Sequence, residues 1–423
     1  MRAVSEKVKS PVNASVRSTG RKGWFRVMTV PVTAALLLGA LWTSGASASA
    51  SKAPRANAPY VIGFTSGLTG QFGAVGQGVR NGAEAYFNKV NKGGGVHGHQ
   101  IKFIALDDAL NPNTGVANFI QLVTSDHAIG VIGFHDSVVA DAVAPYAKNY
   151  KVPMIAATVD QSLVQPVLKY VFAVACQTAD YAAAQVSEAR SLMKSHHGKV
   201  RVAIITTSDS TALQEWSNDV NSMTKKLGWD VVANVISPQD AVNAGPGITK
   251  IIAAKPTILI MALGTDPFLI SAMKQLQQAG STFPVVEYDA PAWTTLQSIH
   301  SKHLYYVSAI AFATRTATPQ FYAAAVAQHV SPNAIYVSRG YLEAKIIVTA
   351  LTNAKCGNSC TGSQLDAAIQ RVSLVSADGL IQGGIHYSAS NHQAVKYMAA
   401  FQWRAGAKAP VKVSGNLTAG TKL

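Results

Sequence analysis

Cysteine is scarce in this sequence, with three residues in a chain of 423. Cys356 and Cys360 flank a Gly-Asn-Ser segment, and no further Cys or His lies close to them in the sequence. A structural zinc ion needs four ligands, so the pair predicts a disulfide in an oxidising compartment rather than a metal site. Cys176 lies in an apolar stretch and is expected to be buried and unreactive.

Motifs of catalysis and nucleotide binding are also missing. The sequence contains no Gly-x-Ser-x-Gly segment, and its glycines between 70 and 78 match neither the dinucleotide fingerprint nor the P-loop. We identify no nucleophile paired with a base. Asp107 and Asp108 end a predicted strand, where adjacent side chains point to opposite faces, so we interpret one as a turn cap and the other as a packing contact. The sequence therefore predicts a protein that is not an enzyme and needs neither cofactor nor metal.

Clusters of basic residues are absent beyond the N-terminus. Residues 1–50 hold seven of the 36 Lys and Arg residues and one of the 21 acidic residues, so the remaining chain carries a formal charge of +9. Its basic side chains are scattered singly, whereas nucleic-acid binding usually shows a clustered basic surface. We therefore expect no nucleic-acid partner.

The N-terminus predicts export. A basic stretch ending at Arg26 precedes an apolar run from Val27 to Trp42, and small residues follow up to Ala50. This order is typical of a signal peptide, which we assign to residues 1–50. The alternative is an uncleaved membrane anchor, but the run is shorter than the ~20 residues of a membrane span and contains Pro31. No cysteine is available there for lipid attachment, and the mature chain is expected to be extracytoplasmic.

Short apolar runs alternate with helical patterns from residue 60 onward. This alternation predicts an α/β protein with parallel sheets covered by helices on both faces. The polar stretch 194–199 separates two such series, which predicts two doubly wound sheets. The predicted strands are 60–64, 101–106, 129–134, 153–157, 202–206, 231–236, 257–263, 284–288 and 305–310. The predicted helices are 75–90, 114–124, 137–149, 211–227, 246–254 and 267–279.

Ligands of doubly wound sheets bind beyond the carboxyl ends of the strands. Three polar residues at such strand ends suggest a ligand that carries both a negative and a positive group. Ser137 begins a helix, where its hydroxyl and the free N–H groups suit a carboxylate, although it would alternatively only cap the helix. Thr158 offers a second hydroxyl, and Asp289, in the second half, suits an ammonium. Together they predict a zwitterion such as an amino acid.

Several segments in order resemble one known family. They are VIGFTSGLTGQFGAVGQGVRNGAEAYFNKVNKGGGVHGHQIKFIALDD, VIGFHDSVVADAVAPYAKNYKVPMIAAT, and the late GGIHYSAS and FQWRAG. The chain resembles, from about Tyr60 to Lys408, the type I periplasmic binding proteins of the leucine/isoleucine/valine-binding class, which serve ABC importers.

The resemblance implies two Rossmann-like lobes, each with a doubly wound and mainly parallel sheet, joined by three hinge crossovers near 177, 310 and 382. Residues 58–177 plus 310–382 are assigned to the first lobe. Residues 178–309 plus 383–408 are assigned to the second, and 409–423 are expected to form a flexible tail.

The resemblance also implies site residues. Ser137 matches the family's carboxylate-binding serine, Phe72 matches an aromatic residue of the first loop, and Asp289 falls where the family often places the acid that receives the ammonium. Amino-acid binders often have tyrosines at the positions of Thr211 or Ala212 and of Thr265. Thr265 and Asp266 therefore predict a more polar cleft with smaller side chains. The predicted ligand-binding residues are Ser66, Phe72, Ser137, Ala157, Thr158, Thr211, Thr265 and Asp289.

These expectations describe a monomeric receptor that binds a small polar solute, a branched-chain or related amino acid, and delivers it to the membrane subunits of an ABC permease. A polar amino acid, an amide or a small carboxylate fits the cleft as well. A ligand-sensing module of the same fold is one alternative, because fold does not fix function. An enzyme acting on a small amide is another.

Overall fold

The computed structural model describes residues 57–418, apart from 71, 208–210, 239–242, 263–264, 300, 335, 355, 357–358, 382, 396 and 405. At 211 and 416 it describes the backbone alone. The signal peptide predicted for 1–50 lies outside this part. Within the part described, no helix is both long and apolar enough to cross a bilayer.

A five-stranded parallel sheet forms the first lobe, in the strand order β2-β1-β3-β4-β5. Its central strands are buried on both faces because helices cover them, which explains their continuous apolar sequence. The elements in chain order are β1 (Tyr60–Ser66), α1 (Gly73–Lys92), β2 (Ile101–Asp107), α2 (Pro112–Thr124), β3 (Gly130–Gly133), α3 (Ser137–Tyr150), β4 (Met154–Ala156) and β5 (Val171–Ala173).

A seven-stranded sheet forms the second lobe, in the order β14-β13-β10-β9-β8-β6-β7. Its strands from β6 to β10 are parallel, and β13 and β14 join antiparallel at one edge. The first elements of this lobe are α4 (Thr178–Leu192), β6 (Arg201–Thr207), α5 (Thr211–Lys226), β7 (Asp230–Ser237), α6 (Gly245–Ala253), β8 (Ile258–Ala262), α7 (Asp266–Gln278), β9 (Val285–Tyr288), α8 (Trp293–Ile299) and β10 (Leu304–Ser308).

The chain then returns to the first lobe before it completes the second. The long helix α10 packs against α1 and β3. A side chain at Gly340 would collide with the main-chain oxygen of Val79, so α1 and α10 approach backbone to backbone. The remaining elements are α9 (Pro319–Ala327), α10 (Val337–Asn353), α11 (Gly362–Ile369), β11 (Ser373–Leu374), β12 (Ile385–His386), β13 (Tyr397–Gln402) and β14 (Val411–Thr418).

The predicted fold class is confirmed. Each strand and helix predicted from the apolar pattern occurs, with ends within two residues of those expected. The lobes are joined by three connections: β5 to α4, β10 to α9, and β12 to β13. The exact boundaries near 177 and 310 stay predictions.

Two assignments near the C-terminus need correction. Residues 411–418, expected in a flexible tail, form β14 and pair with β13, because the edge of the second sheet offers free backbone groups. Residues 385–393, assigned to the second lobe, pack on the first. Ile385 pairs with Leu374, and the Tyr387 hydroxyl donates to the Ala173 carbonyl at 3.0 Å. The third crossover therefore follows this segment rather than residue 382.

The cysteines differ in state. Cys356 and Cys360 are joined by a disulfide between α10 and α11. Cys176 is a free and fully buried thiol in the main core cluster, and burial raises its pKa well above the ordinary value. Its thiol is therefore held in the protonated form that reacts poorly.

Candidate functional site

A cleft that is partly open to solvent lies where the strand ends of the two lobes face each other. This is the position expected for a ligand of parallel sheets. Five of the eight predicted ligand-binding residues line it: Phe72, Ser137, Thr158, Thr265 and Asp289. Its other lining residues are Val75, Leu110, His135, Asp136, Val159, Leu213, Asp266, Leu269, Glu287, Tyr288, Ala290, Pro291, Tyr336 and Arg339.

Two hydroxyl groups meet on the first-lobe side of the cleft. The Ser137 and Thr158 hydroxyls share a hydrogen bond of 2.6 Å, and both residues are buried. Ser137 is not the helix cap, because the Asp136 carboxylate caps α3 by accepting from the Val139 N–H at 3.1 Å. The Ser137 side chain is therefore available to the cleft, and the capping alternative is wrong.

Ser66 and Ala157 lie behind the cleft surface rather than in its lining. The Ser66 hydroxyl shares a 2.5 Å hydrogen bond with Nδ1 of His135, whose ring does line the cleft. Burial and the nearby Arg339 charge lower the pKa of His135 to about 4. The imidazole is therefore neutral at physiological pH. Ser66 and Ala157 were expected to contact the ligand directly. In the structure they instead hydrogen-bond to the lining residues His135 and Arg339.

The carboxylate of Asp289 already has a cationic partner within the chain. It forms a buried ion pair with Arg339, which the sequence analysis did not foresee. Its other oxygen accepts from the Ala290 N–H at 2.8 Å and from the Ser308 hydroxyl at 3.2 Å. The expected contact of Asp289 with a ligand ammonium stays a prediction.

Arg339 connects the two lobes across the cleft. It belongs to α10 in the first lobe, its Nη1 donates to the Ala157 carbonyl at 2.8 Å, and its Nη2 bonds Asp289 of the second lobe. The guanidinium carbon lies 3.9 Å from the ring centre of Tyr336, a favourable cation–π geometry. With 2% of its surface exposed, Arg339 is held in one place by these contacts.

The second-lobe side is built from the ends of β8 and β9. Thr265 caps α7 by accepting from the Phe268 N–H at 3.4 Å. The Asp266 carboxylate accepts from the Thr295 hydroxyl at 2.6 Å and from the Ala292 N–H at 3.2 Å, and burial raises its pKa. Thr211 begins α5, and its side chain lies outside the described part.

Sequence reasoning missed Glu287, Tyr336 and Arg339. Glu287 is buried on β9, where the apolar run gave no reason to single it out. Tyr336 and Arg339 stand at the start of α10, far in sequence from the predicted strand ends. A signal existed, because an arginine within the apolar pattern of a buried helix requires a partner.

A family model for periplasmic binding proteins matches residues 59–408. The chain belongs to the periplasmic binding protein family. Among curated members, the Leu/Ile/Val-binding protein BraC3 of Rhizobium johnstonii is 35% identical over 111 residues, 26% of this chain and 30% of that protein. The chain thus spans 30% or less of the length of the curated relatives that it matches.

Solved periplasmic binding protein structures share the fold over most of the chain. The branched-chain amino acid transporter substrate binding protein LivJ from Streptococcus pneumoniae, in complex with isoleucine, has a TM-score of 0.70 at 17% identity. The match covers 84% of this chain and 99% of LivJ. A solute binding protein of an ABC transporter from R. palustris, in complex with benzoate, also has a TM-score of 0.70 at 17% identity. That match covers 85% of this chain and 96% of the R. palustris protein.

Proposed function

We propose that this chain is an extracytoplasmic substrate-binding protein that encloses a small carboxylate-bearing solute, an amino acid or a related molecule, and delivers it to the membrane subunits of an ABC importer. The observation that carries the proposal is the interlobe cleft, in which strand ends of both lobes present polar side chains to one shared space. Hinged lobes close around a ligand in proteins of this architecture.

The hydroxyl pair of Ser137 and Thr158 supports a carboxylate at the first-lobe side. Both hydroxyls donate readily to an anion, and their mutual 2.6 Å hydrogen bond would rearrange when a stronger acceptor enters. Phe72 and Leu110 on the first-lobe side, with Leu269 across the cleft, would contact the apolar part of such a solute. Thr211 and Thr265 remain proposed contacts at the rim of the second lobe.

Two ligand classes are supported by the relatives. The curated relatives are named for leucine, isoleucine and valine or for amino acids, and LivJ holds isoleucine. The R. palustris neighbour holds benzoate, an aromatic carboxylate without an amine. The rings of Phe72, Tyr288 and Tyr336 in the cleft lining favour this second class, because aromatic side chains stack on aromatic ligands.

Mass spectrometry of the small molecules released on denaturing the purified protein tests the proposal. A panel of amino acids, amides and aromatic carboxylates is then compared by thermal shift. A ligand at 100 times its dissociation constant is expected to add about 2.7 kcal/mol to the free energy of unfolding. Ser137→Ala should lose about half of this shift or more, whereas Ser363→Ala, on α11 outside the cleft, should keep it. A folded protein stabilised by no compound, with none released, would contradict the proposal.

A further inference from the structure

We propose that Arg339 is the residue that anchors the ligand carboxylate, and that Asp289 positions Arg339 instead of binding a ligand amine. The inference rests on the proposed function, since it names a contact of the same cleft. It assigns a role to a residue outside the strand-end loops and reverses the role expected for Asp289.

The placement of the guanidinium carries the first step. Nη1 bonds the Ala157 carbonyl, and the next residue, Thr158, holds its hydroxyl 2.6 Å from that of Ser137. Arg339, Ser137 and Thr158 all line the cleft. The two hydroxyls and the guanidinium therefore form one group of donors on the first lobe, and a carboxylate entering beside the hydroxyls meets the arginine.

The charge of the cleft carries the second step. Arg339 is the one positively charged residue among the described residues that line it, because His135 is neutral. Carboxyl groups of Asp136, Asp266, Glu287 and Asp289 line the same cleft, and that of Asp289 is paired with Arg339. Ionised carboxylates in this cleft would repel an anionic ligand group, and contact with the guanidinium would offset that repulsion.

The geometry of Asp289 carries the third step. Its two oxygens accept hydrogen bonds from Arg339, Ala290 and Ser308. A guanidinium has five N–H donors, so Arg339 can bond Asp289 and Ala157 and still offer donors to a ligand carboxylate. A ligand ammonium at Asp289 would instead have to displace a buried guanidinium and leave that charge without its partner.

Matched ligands test the assignment without any mutation. We would titrate the wild-type protein calorimetrically with leucine, 4-methylpentanoate and 3-methylbutylamine, and with phenylalanine, 3-phenylpropanoate and 2-phenylethylamine. In whichever series binds, both carboxylate-bearing compounds should bind, and the amine alone should bind at least about tenfold more weakly. An amine that binds as well as its amino acid would overturn the inference.

Two variants separate the roles of the paired residues. Arg339→Met should weaken the binding of the amino acid and of the amine-free acid alike, by about tenfold or more. Asp289→Asn should also weaken both, by the same factor within about twofold, because it acts through Arg339. If Asp289→Asn weakened only the amino acid, Asp289 would be an ammonium site and the inference would be wrong.

Controls keep the result decisive. Lys345→Met, on the same helix, removes the cation of a half-buried ion pair with Asp378, at 3.1 Å and outside the cleft, and should leave both affinities within about twofold. The double variant Asp289→Asn/Arg339→Met leaves no unpaired charge. If a single variant fails to fold, the affinities for the amino acid and the amine-free acid are measured on the double variant instead, and both should be weakened. Absence of binding by all six compounds to folded wild-type protein would contradict the proposed function itself, a result distinct from binding with the wrong ligand preference.

Discussion

The two sides of the cleft differ in the groups that they present. The first lobe offers hydroxyls, the neutral His135 and the Arg339 guanidinium, whereas the second lobe offers the carboxyl groups of Asp266, Glu287 and Asp289. The first lobe also contributes Asp136, but this carboxylate caps α3. The one cation of the described lining thus belongs to the first lobe and three of its four carboxyl groups to the second, which favours a ligand bound in one orientation. Arg339 is the residue through which the two sides meet.

The largest effect on stability is expected at the ion pair between Asp289 and Arg339, which joins the two lobes. Asp289→Ala leaves the Arg339 charge buried without its partner and should lower the free energy of unfolding by about 3–5 kcal/mol. Adding Arg339→Met should recover part of that loss, because the uncompensated charge is then gone. Urea unfolding of the three proteins measures both changes. Equal stability of Asp289→Ala and wild type would show that the ion pair does not join the lobes in solution.

Ser137 tests the first-lobe side alone. Ser137→Ala removes one hydrogen bond to a ligand carboxylate, worth about 1.5–3 kcal/mol, and should weaken binding by about tenfold to 150-fold. Its stability should fall by about 1 kcal/mol or less, because Asp136 supplies the helix cap. Calorimetric titration with the identified ligand, together with melting curves, gives both values. Unchanged affinity would remove Ser137 from the site.

His135 gives the first-lobe side a pH dependence. Its folded pKa of about 4 lies below the unfolded value, so the unfolded chain binds the extra proton between about pH 6.5 and 4. Stability is therefore lost as the pH falls, by about 2 kcal/mol between pH 7 and 5 for this residue.

The variant His135→Gln isolates that contribution. Asp108 and Asp141, whose pKa values burial raises to about 6, act in the opposite direction and remain in both proteins. Urea unfolding at pH 7 and pH 5 should show wild type losing about 2 kcal/mol more than the variant. The same pH slope in both proteins would mean that His135 is accessible to protons in the folded state.

The helix caps on the two sides should give the smallest effects. Asp136→Ala and Thr265→Ala each remove a cap and should lower stability by ~1 kcal/mol. The loss should be smaller for Thr265, whose bond to the Phe268 N–H is 3.4 Å compared with 3.1 Å for Asp136. Thermal unfolding of the two variants gives the comparison, and a larger loss at Thr265 would reverse it.

The fold was predictable because its signal is local. An apolar run such as Ile258–Ala262, buried throughout, identifies a strand covered on both faces from its own residues. The strand β14 was not predictable, because its sequence mixes polar and apolar residues and its pairing depends on the open edge beside β13. Strand pairing of this kind is a property of the sheet, and short patterns do not encode it.

The candidate site was predictable to a similar extent. Ser137 and Thr158 were found because the rule of strand ends selects them, and the structure places their hydroxyls together. Arg339 was missed because it reaches the cleft from a helix that the rule does not consider. The partner of Asp289 was missed for the same reason, since it lies 50 residues further along the chain.

The late return of the chain to the second lobe has a consequence for biosynthesis. β10 (Leu304–Ser308) pairs on one side with β13, which lies almost a hundred residues further on. Until that segment emerges, β10 is an uncovered apolar edge that another chain can extend. The second sheet therefore cannot be completed until β13 has been synthesised, because β10 has no partner on that side before then. A chain truncated before Tyr397 should accumulate as aggregates.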